Sequence, residues 1–198
     1  MLISCNTEEE PCDTPWTKDR SQFTATAKVA DGNMRVEVVA SEPGNAIAVF
    51  QDSIEGEFEI SIDFDEFSPG TGDGGYAQVV LFDAEAMNAP ISGASIGTGM
   101  IDAFVGYPNG SLDSRMTNGT SGTISISRLD GIVTSSISVG NKLAETSSVL
   151  TASPLRISIE VGSNQGQVQG TTGFTITRIR LSDDNGTIPD GFDCEVLL

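Results

Sequence analysis

The side chains able to do chemistry in this 198-residue chain are mostly carboxylates: 28 residues are acidic, 10 are basic and none is histidine. Lacking histidine, the chain has no Ser-His-Asp or Cys-His nucleophile, no histidine-ligated zinc and no histidine general base. What remains for acid–base work is a pair of carboxylates. Glu57, Glu59, Asp63 and Asp65 recur at even spacing in one segment, which puts them on one face if that segment is a strand. A second acidic run, Asp183-Asp184-Asn185-Gly186-Thr187 followed by Asp190 and Asp193, is dense in hard oxygens. Calcium takes oxygens of this kind, and Asp183, Asn185 and Asp190 are its candidate ligands. The spacing is not that of an EF-hand loop, and an Asn-Gly turn with solvated acids accounts for the same residues.

The formal charge of −18 excludes non-specific nucleic-acid binding, which needs clustered Lys and Arg against phosphate. It equally argues against docking on anionic lipid through a basic patch. No apolar run approaches the ~20 residues of a membrane helix.

The elements that must position these groups are strands. Residues 6–20 are acidic, contain Pro11 and Pro15, and show no periodicity, which reads as a linker; Trp16 is expected to pack on the domain that follows. From Gln22 onward, short segments rich in Val, Ile, Phe and Thr alternate with Gly, Asn, Asp, Ser and Pro, the pattern of many strands joined by turns. In Glu57–Phe67, Phe58, Ile60, Ile62 and Phe64 fall on one face, and the acidic residues with Ser61 fall on the other. Such alternation marks a strand with one buried and one wet face. Tyr76–Phe82 is mostly apolar, so it belongs in the middle of a sheet. Leu129-Asp130-Gly131-Ile132 predicts a two-residue hairpin turn. Phe174 and Ile176 are one step out of phase with Ile179 and Leu181, and a bulge near Thr177-Arg178 would restore the phase. With the segments at Phe23–Val29, Met34–Val39, Ala46–Phe50, Ile101–Gly106 and Phe192–Leu197, eleven or more strands are expected. They form one antiparallel domain over 21–198, with 1–20 outside it. Three Asn-Gly-Ser/Thr sites, at Asn109, Asn118 and Asn185, mark surface loops.

Leu2-Ile3-Ser4-Cys5 resembles the lipobox of bacterial lipoproteins, in which the cysteine becomes the lipidated first residue of the mature chain. The resemblance implies an exported protein held at the outer membrane or cell surface by lipid on Cys5, which would be its only membrane contact. If Cys5 carries lipid, Cys12 and Cys194 remain as a pair. A bridge between them would close almost the whole chain into a loop, worth on the order of 4–5 kcal/mol in the chain-entropy model. Three unpaired thiols in a reducing compartment is the other reading.

Three stretches together resemble the concanavalin A-like lectin/glucanase superfamily. These are Gly56–Phe64, Gly72–Leu81, and Gly122–Val139 followed by Pro154–Ile159. The resemblance spans roughly residues 22–182 and implies a two-sheet antiparallel jelly-roll sandwich, all-β with little or no helix. Laminarinase-type members use a Glu-x-Asp-x-(x)-Glu strand. Here Ser61-Ile62-Asp63-Phe64-Asp65-Glu66 is the nearest match, with serine where the nucleophile belongs. L-type lectins carry an Asp-Gly-x-Ala-Phe stretch, of which Asp73-Gly74-Gly75-Tyr76-Ala77 is a partial match. This makes Asp73 a sugar-binding candidate, with Tyr76 or Tyr107 as a stacking platform. The superfamily also implies a structural calcium near the chain ends. The expectation is a non-catalytic binding domain that docks on a glycan or on a surface protein complex. The alternative is a divergent glycoside hydrolase or lyase using Glu57, Glu59, Asp63 and Asp65. Aromatic residues are only 6% of the chain, with one Trp, which shifts the balance toward a protein partner.

Overall fold

The computed structural model describes residues 16–18, 25–30, 32–40, 45–50, 54–72, 74–84, 90–106, 110–150, 154–163, 169–183, 186–188 and 196–197. All regular structure among them is strand. The strands are β1 (Trp16–Lys18), β2 (Ala25–Ala30), β3 (Asn33–Ala40), β4 (Asn45–Phe50), β5 (Phe58–Thr71), β6 (Gly75–Asp83), β7 (Ser92–Gly97) and β8 (Met100–Val105). They continue with β9 (Ser111–Met116), β10 (Gly122–Leu129), β11 (Ile132–Val139), β12 (Lys142–Val149), β13 (Leu155–Ser163), β14 (Gln169–Asp183), β15 (Gly186–Ile188) and β16 (Val196–Leu197).

Two antiparallel sheets result. One has seven strands in the order β1-β4-β13-β6-β7-β8-β9, and the other runs β12-β11-β10-β5-β14-β3-β2-β16, with β15 on β14. The sheets pack face to face over a single apolar core. From the nine-stranded sheet it takes Ile60, Ile62, Phe64, Ile124, Ile126 and Phe174; from the seven-stranded sheet it takes Val79, Leu81, Ile96, Ile101, Ile157 and Ile159. Burying one such side chain stabilises by about 1.5–3 kcal/mol before entropy is counted, so the period-two pattern selects the register of each strand. The fold is the expected jelly-roll sandwich, and β6 lies inside its sheet, between β13 and β7.

The long pair β5–β14 departs from regular pairing at three points. One is the expected slip between Ile176 and Arg178, where Thr177 is the extra residue. A second lies between Gly173 and Thr175, opposite Asp65 and Ser68, with Glu66 at φ 54°. This slip moves the buried set on β5 from even positions to Phe67, which is 5% exposed, and so explains why Phe67 breaks the alternation. The Asp130-Gly131 turn has φ 51° and 74° and joins Leu129 to its partner Ile132, as in a type I′ hairpin.

One boundary needs correcting. Trp16, Thr17 and Lys18 pair with Phe50, Val49 and Ala48, so the sheet begins inside the stretch read as linker. A three-residue strand in a proline-flanked acidic run is too short for alternation to reveal it. Strands β7, β9, β12 and β15 also escaped the pattern. Ser92-Gly93-Ala94-Ser95-Ile96-Gly97 is poor in β-formers, and β9 and β12 are polar edge strands.

Candidate binding site

The outer face of the seven-stranded sheet is built by the residues that alternate with its core. Register aligns Glu160 (β13), Gln78 (β6), Ser95 (β7), Asp102 (β8) and Ser114 (β9) into one polar row running across five strands. On one side lies the row Gly162–Tyr76–Gly97–Met100–Met116; on the other lies Ser158–Val80–Gly93–Phe104–Leu112. A polar strip is thus bordered by aromatic and thioether side chains. Tyr76 has a glycine on each neighbouring strand, which leaves lateral room for its ring.

Over this face runs an open groove. One part, of about 620 Å³, is lined by Gln78, Ser95, Met100, Asp102, Phe104 and Leu112. The adjoining part, of about 470 Å³, shares Gln78, Ser95, Met100 and Asp102 and adds Tyr76 and Gly97. Met100, Leu112 and Met116 are 43%, 66% and 80% exposed, which is high for side chains that gain from burial.

The polar row is internally ordered. Gln78 Nε2 donates to Glu160 Oε2 at 2.5 Å, and Ser158 Oγ donates to Oε1 at 3.4 Å. Glu160 is only 6% exposed. Burial pushes its carboxyl above the ordinary carboxylate range, opposed by the hydrogen bonds from Gln78 and Ser158. Toward the sheet edge, Ser114 Oγ donates to Asp102 Oδ1.

Of the sugar-binding candidates, Tyr76 stands in this groove, half-buried. Asp73 and Tyr107 lie outside the described residues. So do Cys5, Cys12 and Cys194, and with them the expected lipidation and bridge, as well as Asn185 and Asp190 of the calcium set. Asp183 ends β14 and pairs with Gly186 across a two-residue connection. Among the described residues no group of three His, Cys, Asp or Glu is placed to hold a metal.

The carboxylates of β5 are on the other sheet. Asp63 accepts from Thr123 Oγ1 at 2.7 Å and pairs with Arg180 at 3.5 Å. Asp65 Oδ1 accepts the Glu66 N–H, and Glu57 Oε1 accepts the Asp130 N–H. Glu57 and Glu59 border a depression of about 480 Å³ with Asp183 and Arg128; Arg128 stacks over Phe58 at 5.3 Å. These acids are thus split between strand pairing, a hairpin turn and a sheet end.

Sequence reasoning missed Glu160, Gln78 and Asp102. The signal was present in Leu155-Arg156-Ile157-Ser158-Ile159-Glu160-Val161, where polar residues alternate with core residues. It gave no hint that β6, β7 and β8 would align with it.

No family model matches the chain, and no curated protein matches it. Among solved structures it is similar to the laminarinase from Rhodothermus marinus (TM-score 0.64, 9% identity, covering 88% of this chain and 91% of that one). It is also similar to a legume lectin-like domain from Entamoeba histolytica (TM-score 0.57, 11% identity, covering 85% and 90%). A third is the exoplasmic/lumenal domain of VIP36 in its Ca2+/Man3GlcNAc-bound form (TM-score 0.57, 10% identity, covering 84% and 82%). At these identities the likeness is one of fold, and the fold is the concanavalin A-like jelly roll shared by lectin-like and glucanase domains.

Proposed function

We propose that this chain is a non-catalytic glycan-binding module that uses the outer face of its seven-stranded sheet. The observation that carries the reading is the polar row Gln78–Ser95–Asp102–Ser114, with the buried Glu160 behind Gln78, lying in a groove between Tyr76 and Phe104. A sugar ring presents hydroxyls at its edge and C–H groups on its face, so it needs hydrogen-bonding groups beside an apolar platform. The neighbours named as a lectin-like domain and as a Man3GlcNAc-bound domain favour the same use of the fold.

Catalysis is disfavoured by spacing. Asp102 and Glu160 are the only carboxylates on this face among the described residues, and three strand spacings separate them, about 14 Å. A glycosidase pair sits about 5–9.5 Å apart. The test is calorimetric titration with neutral and acidic oligosaccharides, paired with Gly97→Leu. A Cβ at Gly97 meets nothing closer than 3.7 Å, so this variant fills the groove without disturbing the core. Saturable binding that Gly97→Leu abolishes supports the reading. Binding of neither neutral nor acidic oligosaccharides, or release of reducing ends or unsaturated products, overturns it.

Two further parts of the reading concern address and partners. Lipid on Cys5 at a bacterial outer membrane follows from the Leu2-Ile3-Ser4-Cys5 run; metabolic labelling with radioactive palmitate that Cys5→Ser leaves unchanged would sink it. Docking on a surface protein complex is favoured by an exposed apolar row on the other sheet, Leu129, Ile132 and Val149, at 61%, 46% and 71% exposure. Structural calcium on Asp183, Asn185 and Asp190 would be read as a rise in thermal midpoint on adding the ion.

A further inference from the structure

We infer that the groove selects neutral, hydroxyl-rich glycans and discriminates against chains bearing carboxylate or sulfate groups. This rests on the glycan-binding reading of the same face and names the class of ligand it takes.

The polar groups that could meet a ligand are weighted toward acceptors. Asp102 lines both parts of the groove and, when ionised, its carboxylate only accepts. The Gln78 amide nitrogen spends one of its two N–H groups on Glu160, and the Gln78 carbonyl oxygen adds an acceptor. Ser114 spends its proton on Asp102. Such a row complements a ligand rich in O–H donors. An anionic ligand in the same place would set its charge beside Asp102, and like charges brought together in a partly desolvated groove repel.

Among the described residues, none that lines either part of the groove is basic. Among the described residues the cation on this sheet face is Arg156, paired in register with Phe82 and four residues along β13 from Glu160, about 13 Å away. Arg115 is the register partner of the core residue Ile101 and is held by Asp113 at 2.6 Å. An anion seated over Gln78 and Ser95 would therefore find no counter-charge among the described lining residues. The net charge of −18 adds repulsion at longer range, which salt would screen. The Tyr76 and Phe104 borders carry no formal charge, so the charge-bearing discrimination lies in the row between them.

The experiment titrates the intact chain with a neutral β-glucan or mannan oligosaccharide and with oligo-guluronate of equal length, at low and high salt. The neutral ligand is expected to bind roughly tenfold or more tighter at low salt, one like-charge contact being worth about that factor. The gap should narrow with added salt. Asp102→Asn keeps the shape and the acceptor for Ser114 but removes the charge, so it should bring the uronate several-fold closer to the neutral ligand. Uronate binding equal to or tighter than neutral binding overturns this inference and leaves the glycan-binding reading standing. The same holds if the gap is unmoved by both salt and Asp102→Asn. Failure of both ligands to bind overturns the underlying reading instead.

Discussion

Gln78 and Glu160 are register partners on β6 and β13, joined at 2.5 Å, and the carboxylate is nearly sealed from solvent while its strand faces the groove. A half-made carboxylate network is costly when buried. Here Ser158 supplies the second contact at 3.4 Å. Gln78 is thereby held in one orientation beside Ser95 and Asp102, which sets the direction of hydrogen bonding along the row.

The burial of Glu160 has a measurable consequence. Its carboxyl is raised from the ordinary 4.5, chiefly by desolvation, so the folded chain binds this proton more tightly than the unfolded chain. Below the ordinary value both states are protonated and the contribution is fully present. As pH rises from there through the raised value, the folded state holds the extra proton and stability falls. Gln78 and Ser158 are its hydrogen-bond partners, and Ile47 is its register partner on β4. Glu160→Gln removes the titration. Urea unfolding from pH 4 to 8 should show a decline in the native chain relative to the variant, beginning above the ordinary carboxylate value. Parallel curves for the two would contradict it.

A second buried pair crosses the core. Ser92 on β7 and Ser135 on β11 share a 2.7 Å hydrogen bond between the two sheets, and neither is exposed. Ser92→Ala leaves the Ser135 hydroxyl in apolar surroundings and should cost about 1–3 kcal/mol. The double variant Ser92→Ala/Ser135→Ala removes both polar groups and should recover much of that loss. A chemical-denaturation cycle measures the difference. Strictly additive losses would mean that the two hydroxyls are independent.

The core was legible where one face alternated without interruption. Phe58, Ile60, Ile62 and Phe64 on β5, and Leu155, Ile157, Ile159 and Val161 on β13, are all buried as their spacing requires. The phase error at Phe174–Leu181 was enough to locate the bulge at Thr177. The binding face was less legible, for a physical reason. Residues facing solvent need not be apolar, so β7 could be built from Ser and Gly and look like a turn. The polar row itself depends on which strands become neighbours. That Glu160 aligns with Asp102 is a property of the β13-β6-β7-β8 order, and no local window contains it. Tyr76 was found because its loop resembled a lectin stretch, and its flanking by Gly97 and Gly162 became visible only with the register.

Edge strands carry a separate risk, since their outward N–H and C=O groups can template another chain. The β12 edge of the nine-stranded sheet is capped from β9. Asp113 Oδ2 accepts the Glu145 N–H at 3.0 Å, and Ser111 Oγ donates to the Ser147 carbonyl at 3.4 Å. Asp113→Ala removes one cap and frees Arg115 from its ion pair. Stability should fall by under about 1 kcal/mol, since the contact is exposed. Self-association at high concentration should rise, as read by sedimentation velocity. An unchanged sedimentation profile would show that the caps do not guard this edge.

The turn between β10 and β11 separates backbone strain from packing. Gly131 has φ 74°, and a Cβ built there meets nothing within 4 Å. Gly131→Ala therefore adds no clash, and its cost is that of holding an L-residue in the left-handed region, about 1–2 kcal/mol. Asp130 already occupies that region at φ 51°, which asparagine and aspartate tolerate best. Asp130→Asn should accordingly be near neutral, whereas Gly131→Ala should lower the thermal midpoint by several degrees. If the alanine variant were as stable as the native chain, the two-residue turn would have to relax into another loop type, and the Leu129–Ile132 register would shift with it.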